Sequence, residues 1–71
     1  MDDLVRVIQN GEVVADEITF FSACDYFLDL DPDSFFTECY RKEISMMKQG
    51  HLSRRVRGKG TIRIEWSNGR G

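Results

Sequence analysis

The chain has 71 residues, of which 41% are hydrophobic and 31% charged, and its formal net charge is −2. That length allows one small domain, that balance suits a folded chain rather than a disordered one, and the near-neutral total excludes a uniformly basic nucleic-acid binder. No apolar run approaches the length needed to cross a bilayer, and the acidic start Met1-Asp2-Asp3, where a signal peptide would be basic, points to a cytoplasmic protein.

A chain this short gains and loses nearly equal free energies on folding, each on the order of 100 kcal/mol. A marginal monomer is therefore expected, and docking on a partner or a second copy is a natural source of stability.

The first element in chain order is a hairpin. β-Branched residues flank Asn10-Gly11, the pair that a tight turn with two positive φ angles favours. Pairing across that turn sets Ile8 opposite Val13 and Val7 opposite Val14. Neither face is wholly apolar, so alternation does not choose the core side.

A helix is expected from Ala23 to Leu30. Ser22 is its cap, Asp25 completes a capping box, and Phe21 and Tyr26 close a hydrophobic staple. Phe27 and Leu28 are its expected buried residues. The next boundary is sharper. Asp31 can cap, Pro32 suits the first helical position, and Asp33 favours the positive end of the helix dipole. Leu30 and Phe35 form a second staple. This second helix is expected to run from Pro32 to Gln49 and to stop at Gly50. Phe36, Cys39, Tyr40, Ile44 and Met47, with Glu43 alongside, form one apolar stripe at helical period, expected to face the core. Glu38 and Lys42 are placed to pair across one turn.

A second hairpin follows. Leu52 to Arg57 and Thr61 to Trp66 flank the loop Gly58-Lys59-Gly60. Ile62, Ile64 and Trp66 alternate with Thr61, Arg63 and Glu65, which gives that strand one dry face. The expected fold is α+β in the order ββααββ, a small antiparallel sheet packed on a helical hairpin. Residues 1–66 make one domain and 67–71 a flexible tail.

Charge divides the chain. Residues 1–40 hold ten acids and one base, whereas residues 41–71 hold nine bases and two acids. The halves either neutralise each other in the fold or form two surfaces of opposite sign. The acidic surface would include Asp25, Asp29, Asp31, Asp33 and Glu38. The basic one would include Arg54, Arg55, Arg57, Lys59 and Arg63.

Known chemical constellations fit poorly. Asp29, Asp31 and Asp33 alternate like the start of a calcium loop, but Ser34 stands where glycine is needed and Tyr40 where a bidentate Glu is needed. A helix-turn-helix reader would present Asp33 and Glu38 to phosphates. Gly58-Lys59-Gly60-Thr61 joins two strands and lacks the first glycine of a phosphate loop. His51, just past a helix end, is expected to cap carbonyls or sit in water, and nothing beside it in sequence could serve as its nucleophile. Cys24 and Cys39 are expected to be reduced, buried thiols, with a disulfide across the two helices as the alternative. No cofactor or metal is expected.

Eight aromatic residues exceed what one small core needs. One or two, Phe35 or Tyr26, are expected at the surface as interface anchors.

These features favour a non-enzymatic protein-interaction module. In size, composition and charge the chain resembles small phage-encoded accessory proteins that inhibit host machinery, anti-CRISPR proteins among them. That resemblance covers the whole chain and rests on no motif. It implies a stoichiometric, cofactor-free inhibitor of a host nucleic-acid-handling protein or complex, bound through the acidic surface. The alternative is a small nucleic-acid-binding or regulatory protein that uses the basic hairpin, or one that binds an acidic partner there. Self-association of the acidic half with the basic half is compatible with either.

Overall fold

The computed structural model describes residues 4–28 and 32–67. The order is β1 (Val5–Gln9), β2 (Glu12–Ile18), α1 (Phe20–Phe27), α2 (Pro32–Gln49), β3 (His51–Val56) and β4 (Gly60–Trp66). This is the expected ββααββ order in an α+β fold. The four strands form one antiparallel sheet in the order β2-β1-β4-β3.

The register decides the core side that alternation in β1 left open. Val5 pairs with Trp66, and Val7 with Ile64, which in turn lies opposite Leu52. One face therefore carries Val5, Val7, Ile62, Ile64, Leu52 and Val56, all buried. Phe20, Ala23, Cys24, Phe27 and Leu28 from the α1 segment join this core, as do Cys39 and Met46 from α2. Helix α1 lies against β1 and β4, and α2 against β3. Phe27 and Leu28 are buried as expected, and the alternating dry face of β4 is present.

The first turn forms at Asn10 and Gly11, both with positive φ, and Ile8 pairs with Val13. Val7 pairs with Ala15, not with Val14, because β2 carries two register shifts. At one of them, Glu17 adopts φ 53°. Its N–H donates to Asp16 Oδ1 at 2.8 Å and to Ser67 Oγ at 3.0 Å, bonds that hold this sparsely populated backbone conformation. Ser67, just past β4, also donates its N–H to Leu4 O at 3.0 Å. Residues 68–71 lie outside the described residues.

Helix α1 begins earlier than expected. Thr19, not Ser22, is the cap, and its side chain accepts from the Ser22 N–H at 3.2 Å. Starting a turn sooner puts Phe20 on the core side and Phe21 on the outer side. The helix ends at Phe27, with the Leu28 N–H donating to Cys24 O. Helix α2 matches its expected limits, and the Gly50 N–H closes it on Met46 O at 2.7 Å. The proposed cap Asp31 and staple residue Leu30 lie outside the described residues. Glu38 pairs with Arg41 at 3.2 Å rather than with Lys42.

The cysteines are not reduced. Cys24 and Cys39 form a disulfide with Cα atoms 6.1 Å apart, tying α1 to α2. Reduced thiols were expected from a cytoplasmic setting. The fold instead sets both residues on facing helical surfaces, the geometry that the alternative required.

Candidate functional site: an aromatic face on the two helices

Of the expected apolar stripe in α2, Cys39 faces the core but Phe36, Tyr40, Ile44 and Met47 do not. Phe36 and Tyr40 are each 66% exposed and Met47 68%, while Ile44 is also exposed. The buried side of α2 is instead carried by Cys39 and Met46. The period was legible, but it marked a second apolar face about a quarter turn from the core.

Phe21 of α1, 49% exposed, extends this face across the helix boundary. Its ring centroid lies 5.3 Å from that of Phe36 and 5.5 Å from that of Phe35. Phe35 and Phe36 meet edge to face at 5.8 Å. The expected anchors therefore change. Phe35 and Tyr26 are partly buried and pack against the core, whereas Phe21, Phe36 and Tyr40 stand at the surface. For Phe21 the sequence signal was Thr19, a second competent cap three residues before Ser22.

Phe20, Phe21, Phe36, Cys39, Tyr40 and Glu43 line a groove of about 230 Å³ on this face. Cys39, the α2 end of the disulfide, is one of these lining residues. Glu43 is the one acidic residue among those six.

The acidic residues fall around the helices and along one sheet edge. Asp25 and Asp33 are exposed, and Glu38 is half-exposed and held by Arg41. Asp29 and Asp31 lie outside the described residues. Edge strand β2 adds exposed Glu12, Asp16 and Glu17, beside exposed Val13 and Val14.

The opposite edge is basic. Arg54, Arg55, Arg57 and Lys59 are exposed on β3 and its turn. The Arg54 guanidinium lies 5.5 Å from the centre of the Phe27 ring, a cation–π contact. The Lys59 ammonium donates to Asp25 O at 3.3 Å. Arg63 stands apart from these exposed bases, because it is half-buried and pairs with Glu65 at 3.4 Å. The two edges of the sheet thus carry opposite charge, separated by β1 and β4.

Between those edges, on the sheet face away from the helices, Arg6 gathers a polar cluster. It donates to Asp16 Oδ2 at 3.3 Å, Glu65 Oε1 at 3.2 Å and Ser67 O at 2.8 Å. Ser67 Oγ donates to Asp16 at 2.6 Å, and this bond is the main reason the Asp16 carboxyl titrates below its ordinary value, with Glu17 N–H and Arg6 adding to it. The cluster ties β1, β2 and β4 together. His51 begins β3 opposite Glu65 instead of capping α2.

Among the described residues no group of three or more His, Cys, Asp or Glu side chains could hold a metal ion, and no helix is long and apolar enough to cross a membrane. Fold and surface together define a small α+β domain with an exposed aromatic face on its helices and oppositely charged sheet edges. Comparison with protein-family models, with curated proteins and with solved structures finds no match to this chain.

Proposed function

We propose that this chain is a non-enzymatic protein-interaction module that acts by occupying the surface of a partner protein. The observation that carries this reading is the contiguous exposure of Phe21, Phe36, Tyr40, Ile44 and Met47 on one face of α1 and α2. Large apolar side chains gathered in one patch are the signature of a contact surface, and aromatic residues are the usual energetic anchors of such surfaces. Asp25 and Asp33, exposed on the same two helices, supply an acidic rim that suits a basic partner. Proteins that handle nucleic acid present such basic surfaces. A small phage-type inhibitor of a host nucleic-acid-handling complex is therefore the biological role this reading favours. A cytoplasmic location accompanies that role, and there the Cys24–Cys39 bond would meet a reducing environment.

The test is affinity capture from a host lysate with nuclease present, followed by mass spectrometry. A defined protein is expected to be retained by the wild type and lost by Phe36→Ser/Tyr40→Ser. Equal capture by both proteins would overturn the reading.

The basic edge favours a second reading. Arg55 and Arg57 are exposed on β3 and its turn, and neither belongs to an ion pair among the described residues. Such an edge suits phosphate contact. Its test is binding to short DNA and RNA duplexes at low salt.

A further inference from the structure

We infer that the groove between α1 and α2 is a receptor for a single arginine side chain of the partner. This inference rests on the interaction reading above and names the chemistry that the face would recognise. Four of the six lining residues are aromatic, namely Phe20, Phe21, Phe36 and Tyr40. Phe20 is buried at 5% exposure and forms a floor, while Phe21, Phe36 and Tyr40 form open walls. Aromatic faces carry partial negative charge and attract a cation placed over them. Glu43 adds a full negative charge to the same lining, and it belongs to no ion pair among the described residues.

Charge complementarity separates this occupant from a purely apolar one. An aliphatic side chain seated in the groove would strip water from the Glu43 carboxylate and offer nothing in return. A cation would replace that water and meet the ring faces together. Arginine fits better than lysine, because its planar guanidinium can stack on a ring while its edge donates two parallel hydrogen bonds to a carboxylate. The groove volume of about 230 Å³ suits one side chain. It is below the roughly 300–1,000 Å³ of sites for larger ligands. The chain already uses the same contact internally, where Arg54 lies over Phe27. A partner arginine would repeat it on the outer face of the same helix pair.

The experiment is an aromatic ¹H–¹³C NMR titration of the intact, disulfide-bonded chain. The probes are acetylated, amidated pentapeptides Gly-Gly-Xaa-Gly-Gly with arginine, lysine, citrulline or norleucine at the centre. The arginine peptide is expected to shift Phe21, Phe36 and Tyr40 resonances saturably in the millimolar range. Lysine should bind more weakly, and the uncharged citrulline and norleucine peptides about tenfold more weakly or not at all. Glu43→Gln should weaken arginine binding by about threefold to tenfold while leaving the other backbone shifts in place. Equal shifts with norleucine, no effect of Glu43→Gln, or no saturable shift with arginine would each overturn the inference. A concentration-dependent dimer that excludes the arginine peptide would also overturn it, and would assign the face to a second copy. Failure here with capture still lost in Phe36→Ser/Tyr40→Ser would sink the arginine receptor and leave the interaction module standing. Capture unaffected by those substitutions would sink the module itself.

Discussion

Cys24 of α1 is covalently joined to Cys39 of α2, each about one helical turn beyond Phe21 and Phe36, whose rings meet at 5.3 Å. The bond closes a segment with a sequence separation of 15 residues. Loop-closure arguments assign such a bond about 3 kcal/mol, a large share of the stability of a domain this small. Both cysteines are also buried, so a Cys24→Ala/Cys39→Ala variant should lose at least that much in a urea melt. Reduction of the wild type should lower the urea midpoint in the same direction. An unchanged midpoint after verified reduction would show that packing alone holds α1 to α2.

The aromatic face should be dispensable for folding. Phe36 and Tyr40 are two-thirds exposed, so Phe36→Ser and Tyr40→Ser should each cost no more than about 1.5 kcal/mol, the Phe36 variant more because its ring meets Phe21 and Phe35. Denaturant melts of the single variants check this. A loss of several kcal/mol would mean that these rings support the fold, and would remove the reason to regard them as a contact surface.

The two hairpin turns interlock through Asn10. Its N–H donates to Thr61 O at 2.9 Å, its Nδ2 donates to Lys59 O at 3.1 Å, and its Oδ1 accepts from Thr61 N–H at 3.0 Å. Gly60 sits against this carboxamide at φ 85°, and a β-carbon there would collide with it. Gly60→Ala should therefore cost more than the roughly 1–2 kcal/mol of a left-handed backbone alone. Asn10→Gly keeps the turn geometry but removes two side-chain bonds, and should cost about 1–2 kcal/mol. Thermal melts of both variants, with Gly11→Asn as a turn-only control, would separate the two effects.

Asp16 titrates low chiefly because Ser67 donates to it, with Arg6 nearby. A carboxyl lowered in the folded state stabilises above its unfolded value of about 3.9 and loses that contribution as pH falls through the folded value. Acid should therefore loosen the β2 side of the sheet below about pH 4. Ser67→Ala should move the Asp16 titration upward, as read by carboxyl NMR, and shrink the acid-induced loss. An unchanged titration would leave the lowering to Arg6 and the Glu17 N–H.

The basic edge has its own discriminating measurement. If Arg54, Arg55 and Arg57 contact phosphates, replacing all three with Ala should weaken binding to short duplexes and flatten its dependence on salt by up to about three units of slope. Because Arg54 also lies over Phe27, its replacement alone should carry a small stability cost that Arg55→Ala and Arg57→Ala lack. A wild type that shows no duplex binding at low salt would leave the edge as charge that keeps β3 from pairing with other chains.

Local chemistry in the sequence determined the elements and most of their limits. Asn10-Gly11 marks the first turn, Pro32 and Gly50 bound α2, and Ile62 and Ile64 alternate as a half-buried strand, because these signals act within a few residues. Thr19 took the place of Ser22 as cap, and the earlier start carries Phe20 into the core. Only the tertiary structure decided the rest. It placed β1 beside β4, and so set the acidic and basic edges at opposite ends of one sheet. It brought Cys24 within bonding reach of Cys39 and chose which of two apolar faces of α2 met the core. A helical period reveals that an apolar stripe exists, whereas its burial depends on which neighbour covers it. In this chain Phe36 and Tyr40 stay two-thirds exposed although Phe36 touches the Phe21 and Phe35 rings, and that exposure turns most of an expected core stripe into the candidate site.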